Sequence, residues 1–383
     1  MDKPTVQDIF HRFYPAYLDQ YSPSPVQAKV AHNIMNCKTG AYGANVCVCE
    51  DCGFVQIHYN SFRNRCCPMC QAVPKEMWMD ARREDVLDAP YFHLVFTVPD
   101  ILNPVIYSNQ RLLYDALYHA ASSTISELTA DPKHLGAKVG YICILHTWGS
   151  EMNFHPHIHT ILLGGGLASN NQWRDNGENF FLPIRVISKM FRGKYLEELK
   201  RLWEEDKLVF QGTAEKFRNH YTFKELLDSC YGMDWIPHCK KTFNCAQTVI
   251  KYLGKYTHRI AVSNHRIVRM NDDTVTFLVK DYRNEGQWKE LTISGVEFVR
   301  RFLMHVPPRR FVRIRHYGLL CSRTKSQKLT LCRNLLGCKK YLSKLRDMEM
   351  PEILEHLYGI KVCVCKACGG HLGKPQMRMP LRC

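Results

Sequence analysis

Several things this chain lacks narrow what it can be. None of its apolar runs approaches the roughly 20 residues that cross a bilayer. The start MDKPTVQDIF has no apolar stretch of the secretory kind, so a soluble cytoplasmic protein with no membrane partner is expected. No GxxxxGK[ST] loop is present, so any strand unwinding has to come from a host helicase or other replication protein. Repeats and low-complexity tracts are missing too, and 383 residues suit two or three ordinary globular domains. Carboxylates are the scarce charge. Against 36 Asp and Glu stand 52 Lys and Arg, a net +16 before any histidine protonates. A surplus of that size points to a polyanion, nucleic acid above all, and to a nucleoid-associated protein.

Cysteine, by contrast, is abundant. There are 18, of which seven lie between Cys37 and Cys70 and four between Cys363 and Cys383. Without a secretory signal, such clusters read as metal ligands before disulfides. In 47-CVCEDCGFVQIHYNSFRNRCCPMCQ-71, Cys49 and Cys52 form one CxxC and Cys67 and Cys70 another. Two such turns complete a tetrahedral site, so a structural Zn2+ is expected on these four. Cys37, Cys47 and Cys66 crowd the same stretch as alternative ligands, and Arg63 and Arg65 suit a phosphate backbone. The tail 361-KVCVCKACGGHLGK-374 offers Cys365 and Cys368 as a candidate second zinc site, completed by His371 or Cys383.

Hydrophobic periodicity supplies the organisation. Residues 91–99 and 138–149 read as strands, 105–128 and 195–210 as helices, 274–295 as a hairpin and 296–306 as a helix. The residues after Cys245 are helical at least through their first half, and 309-RRFVRIRHYG-318 is a basic run whose Arg309, Arg310, Arg313 and Arg315 suit DNA. An α+β fold with a central antiparallel sheet and flanking helices follows. The chain divides into an N-terminal zinc-binding domain over 1–85, a catalytic domain over 86–265 and a basic C-terminal region over 266–383.

The chemistry concentrates in 149-GSEMNFHPHIHTILLGGG-166. Alternate residues of a strand share a face, so His155, His157 and His159 line up, and imidazoles so spaced can reach one metal ion. A nucleophile is offered by 252-YLGKY-256. Tyr252 and Tyr256 stand four residues apart on one helical face, beside Lys255, His258 and Arg259. A phenol with a pKa of about 10 attacks poorly unless cations or a metal assist it. Both kinds of help are encoded here.

These residues carry a resemblance. His157-Ile158-His159 resembles the histidine–hydrophobe–histidine (HUH) motif of single-strand DNA endonucleases, and YLGKY resembles their two-tyrosine variant. The phrases LHTWGSEMNFHPHIHTILLGGG, VIKYLGKYTHRIAVSN and RRFVRIRHYGLL are similar to rolling-circle transposases of insertion-sequence family ninety-one. NCKTGAYGANVCVCEDCG and FRNRCCPMCQ are similar to the zinc-binding domain that opens those proteins, save that Cys66 stands where a histidine is expected. The likeness spans about residues 30 to 320. It implies an HUH nuclease core acting on single-stranded DNA at the ends of a mobile element. A tyrosine would form a 5′-phosphotyrosine link, with Tyr252 and Tyr256 as nucleophiles and Lys255 assisting. His157 and His159 would hold Mg2+ or Mn2+, with Gln247 as third ligand by analogy with related nucleases, or His155 or Glu151 instead. Two other functions compete. One is a plasmid replication initiator or relaxase of the same chemistry; the other is a non-catalytic zinc-finger DNA-binding protein, which leaves the histidine strand and paired tyrosines without purpose.

Overall fold

A computed structural model describes residues 3–175, 182–235, 237–243 (240–243 by backbone only), 248–249, 254, 260–281 and 284–378. Two helices open the chain, α1 (Val6–Leu18) and α2 (Pro25–Met35). Both start at capping boxes, Thr5 with Asp8 and Ser24 with Gln27, in which side chain and backbone satisfy each other's free N–H groups. A ribbon of β1 (Ala44–Val48) and β2 (Val55–Tyr59) follows, then α3 (Ala72–Arg83).

The middle of the chain builds the main sheet. It comprises β3 (Tyr91–Thr97), α4 (Asn103–Ser108), α5 (Gln110–Ala130), β4 (Lys138–Trp148), β5 (Phe154–Leu167), β6 (Trp173–Asp175), α6 (Ile184–Glu204), α7 (His220–Gly232) and β7 (His238–Phe243). The helix expected over 105–128 divides at Asn109, whose side chain donates to the carbonyls of Val105 (2.9 Å) and Val209 (2.7 Å). The helix expected from 195 already begins at Ile184. A small sheet of β8 (Ile267–Met270), β9 (Thr274–Asp281) and β10 (Gln287–Ser294) comes next, then α8 (Gly295–Met304), β11 (Ile314–Gly318), α9 (Lys325–Leu336), α10 (Met350–Tyr358) and β12 (Gln376–Arg378).

The main sheet runs β11-β4-β5-β3-β7, with β6 beside β5 and every pairing antiparallel. Central β5 is buried on both faces from Pro156 onward, His157 and His159 included. On one face Phe92, Leu94, Phe96, Leu145, Ile158 and Leu162 pack with residues of α5, α6 and α7. On the other, Tyr91, Ile142, Ile144, Ile161 and Leu163 meet Leu87, Val249, Leu319, Leu329 and Cys332. The expected antiparallel α+β architecture is the one observed.

Packing crosses the boundaries expected at 85 and 265. A separate core joins α1 and α2 to β8, β9 and α8, for example through Phe10 edge-on to Phe302 at 5.2 Å between ring centres. Strand β11, from the basic C-terminal region over 266–383, belongs to the main sheet, and β12 pairs with β1. An amphipathic helix needs a partner face, and α1 finds its partner in α8, far along the chain. Among the described residues no helix is long and apolar enough to cross a membrane.

Candidate metal centre

The register of three strands assembles the site. In β5, His157 lies opposite His146 of β4 and Thr97 of β3, while His159 lies opposite Ile144 and Val95. Directly opposed residues share a face, so His146 joins the two histidines of the HxH motif. The nearest ring nitrogens of His146, His157 and His159 all lie within 4.8 Å of one another, and all three side chains are buried. His93, two positions before Val95 on β3, closes the row, its Nε2 2.9 Å from His159 Nδ1.

Hydrogen bonds aim the rings. His157 Nδ1 donates to the His155 carbonyl (2.7 Å), which leaves Nε2 as the free lone pair. That Nε2 faces His159 Nε2 at 3.0 Å. Two such nitrogens turned to one point either share a proton or jointly hold a cation. Burial lowers the pKa of His157 to about 4 and that of His159 well below the usual range, so both are neutral bases at pH 7. Neutral imidazoles are what a metal requires.

Of the expected third ligands, the two that are described lie apart from the trio. His155 turns away, its Nδ1 3.1 Å from Asp100 Oδ1 in a partly exposed pair. Glu151 is exposed, and its backbone carbonyl accepts from Arg301 (3.0 Å). Neither joins the trio, and Gln247 lies outside the described residues. His146 and His93 went unnoticed in the sequence because each is a single histidine in an apolar strand, a pattern that usually means ordinary packing.

The connection from β4 to β5 is held from outside the sheet. Met152 sits at φ +58° with its side chain fully buried in the core shared with α1 and α8. Its carbonyl accepts from His305 Nε2 (3.0 Å), while His305 Nδ1 meets the Thr147 hydroxyl (3.1 Å). Arg266 donates to the Ser150 carbonyl at 2.6 Å. Tyr252, Lys255, Tyr256 and Arg259 lie outside the described residues. Of their segment, Val249 is buried against Tyr91, Ile142, Ile161 and Leu163, on the histidine-bearing face, and Gly254 abuts Met79 of α3 so closely that a side chain there would collide with it.

The thiols group differently from their spacing in sequence. Cys49 and Cys52 meet Cys365 and Cys368 of the tail, not Cys67 and Cys70; the latter pair meets Cys37. The two expected zinc sites are thus redrawn, because the antiparallel bridge from Cys49 to Leu372 brings the tail onto the first knuckle. Hydrogen bonds from Cys37 and Cys67 hold the Cys70 thiol down, to about 3, a ready thiolate. Cys66 belongs to neither group, and burial raises its thiol to about 11.

The expected DNA-contacting arginines also divide. Arg63, Arg309 and Arg310 are exposed. Arg313 is buried, its guanidinium 6.0 Å from the centre of the Trp148 ring. Arg315 pairs with Asp115 and lies 4.0 Å over the Tyr118 ring, and Arg65 donates to the carbonyls of Phe311 and Pro308. Arg313 and Arg315 thus brace β11 and its approach instead of facing solvent freely, whereas Arg65 stays exposed while making its two contacts.

Comparison with known proteins bears on both regions. Residues 140–328 match the family model described as "Putative transposase", and residues 9–98 match "Transposase zinc-binding domain". The chain is 39% identical over 369 residues to "Putative transposase y4qJ" of Sinorhizobium fredii, covering 95% of this chain and 93% of that protein. It is 27% identical over 318 residues to the transposase for insertion sequence element IS801 of Pseudomonas savastanoi pv. phaseolicola, covering 79% and 72%. Among solved structures, the metal-bound conjugative relaxase TrwC in complex with OriT DNA aligns with a TM-score of 0.25 at 14% identity, over 43% of this chain and 70% of that one. A copper-bound form aligns with a TM-score of 0.27 at 14% identity, over 69% and 92%.

Proposed function

The chain belongs to the IS91 family of transposases, and from that premise we propose that it nicks and rejoins single-stranded DNA through a 5′-phosphotyrosine link in rolling-circle transposition. One hydroxyl, of Tyr252 or Tyr256, attacks the scissile phosphorus and gives up its proton to a nearby base or water. The bond from phosphorus to the 3′ oxygen breaks, and that oxygen leaves protonated as a free 3′-hydroxyl. The phosphodiester energy stays in the tyrosyl ester, so rejoining needs no nucleotide cofactor. The second tyrosine serves the second strand end, and Lys255 is placed in sequence to steady the phenolate.

The observation that carries this reading is the pair of Nε2 atoms of His157 and His159, 3.0 Å apart, with His146 in reach on the face where Val249 packs. Their neutral, buried, convergent nitrogens fit a divalent ion. When bound there, it would supply Lewis acidity and a template for the scissile phosphate. Three imidazoles without a carboxylate favour Mn2+ or a later transition ion over Mg2+. Around it, His93 holds the His159 ring, and the carbonyl of residue 155 holds His157.

The test is adduct formation. The protein, Mn2+ and end-labelled single strands spanning the element's ends should give a covalent protein–DNA product that keeps the fragment on the 3′ side of the scissile phosphate, joined through its 5′ phosphate, and releases the other fragment with a free 3′-hydroxyl. Tyr252→Phe and Tyr256→Phe should each abolish transposition, and the double variant should form no adduct. An adduct surviving in the double variant would move the nucleophile elsewhere. Tight binding of the wild type with no adduct at all would favour the non-catalytic DNA-binding reading.

A further inference from the structure

The two ends of the chain meet at four thiols, and the meeting is made from one turn used twice. In 49-CEDCG-53, the Cys49 N–H donates to the Phe54 carbonyl (2.9 Å), and the Gly53 N–H donates to the Cys49 carbonyl (3.1 Å). In 365-CKACG-369, the Cys365 N–H donates to the Gly370 carbonyl (2.8 Å), and the Gly369 N–H to the Cys365 carbonyl (3.0 Å). Gly53 and Gly369 hold φ at +72° and +77°, left-handed values that glycine adopts at little cost. In the tail turn, the N–H groups of Ala367 and Gly370 also point at the sulfurs of Cys365 and Cys368, 3.4 Å each. Donors so placed favour the thiolate that a metal takes as ligand.

The turns face each other. Cys49 Sγ lies 3.5 Å from Cys368 Sγ, Cys52 Sγ lies 3.8 Å from Cys365 Sγ, and all four sulfurs fall within 4.8 Å of one another. Sulfurs placed tetrahedrally about 2.3 Å from zinc stand about 3.8 Å apart, whereas a disulfide needs about 2.05 Å. The spacing is that of a metal site. Apolar contact alone is a poor alternative, because among the described residues the buried cluster here is Cys47, Cys49, Cys365 and Leu372. Such a small core is ordinarily completed by the ion itself.

We propose that Cys49, Cys52, Cys365 and Cys368 together bind one zinc ion, forming a clasp that fastens the C-terminal tail to the N-terminal ribbon and is separate from the Cys37, Cys67 and Cys70 cluster. Backbone bonds continue the seam, from Glu50 N–H to the His371 carbonyl (3.1 Å) and from Gly373 N–H to the Val48 carbonyl (2.9 Å). On its way there the tail wraps α3. The Tyr341 and Ser343 hydroxyls (2.6 Å each) and the Leu345 N–H (3.0 Å) all donate to the buried Asp80 carboxylate. The same helix carries Met79 against Gly254, so the tail that the clasp fastens packs on the helix that abuts residue 254. The inference does not depend on whether the protein cuts DNA.

Zinc content of the purified full-length chain provides the test. C49S/C52S and C365S/C368S should each lose one zinc equivalent, and the quadruple variant should lose that same one and no more. Loss of two equivalents in the quadruple variant would mean that the ends bind separate ions, and the proposal would fall. A second measurement uses the wild type alone: pulse alkylation with and without a chelator, mapped by mass spectrometry. The four cysteines should gain label together as zinc leaves, and protease should then cut the tail faster. Equal labelling of Cys365 and Cys368 with and without zinc would overturn the clasp.

Discussion

A histidine becomes a ligand through what its second nitrogen touches. His157 gives its Nδ1 proton to a backbone carbonyl, and His159 turns Nδ1 to His93, so both present Nε2 to one point. The residues that hold a ligand ring shape affinity nearly as much as the ligands do. Replacing His157 or His159 by Ala should abolish nicking, and His146→Ala should do the same if it completes the trio. His93→Ala should weaken Mn2+ binding about 10- to 100-fold while leaving the three nitrogens present. Metal titration alongside single-turnover nicking separates these effects. Wild-type Mn2+ affinity in His146→Ala would remove that residue from the ligand set.

The β4–β5 hairpin is the element on which the centre depends, and its turn is fastened by a buried neutral histidine. Desolvation pulls the pKa of His305 to about 4, against about 6.5 for an unfolded histidine. Below about pH 6.5 the unfolded chain takes up a proton that the folded chain refuses. Stability is therefore full above that pH and falls as pH drops through 6.5 towards 4, by about 3 kcal/mol for a group of this shift. His316, also lowered to about 4 by burial, adds to the same loss. Melting temperature followed from pH 7.5 to 4.5 should fall, and His305→Gln, which can still donate and accept, should fall less steeply. An unchanged slope in that variant would place the acid sensitivity elsewhere.

Across the whole molecule, a net charge of +16 makes association with DNA a matter of counterion release. Arginines that face solvent should carry it, and those locked in the fold should not. Arg309→Ala and Arg310→Ala should each weaken single-strand binding and lower the slope of log affinity against log salt by about 1. Arg313→Ala should instead cost about 2 to 4 kcal/mol of stability, because it empties a buried position beside Trp148. Fluorescence anisotropy across a salt series and chemical denaturation distinguish the two outcomes. A salt-insensitive affinity would count against a phosphate-tracking surface.

Local chemistry was legible in the sequence because its signals are short-range. Alternation put His157 and His159 on one face, the CxxCG turns announced metal knuckles, and the strands over 91–97 and 138–148 follow from their β-branched and aromatic runs. Partnership between distant segments was not legible, because no local pattern encodes which strands become neighbours. Only the register of β3, β4 and β5 makes companions of His93, His146, His157 and His159, residues up to 66 positions apart. Only the return of the tail to β1 gives Cys49 its partner 319 positions away and leaves Cys67 and Cys70 to Cys37. The basic run 309–318 shows the same limit. Its charge was plain, but the burial of Arg313 is decided by neighbours such as Trp148, Cys66 and Tyr118, which the chain supplies from separate segments.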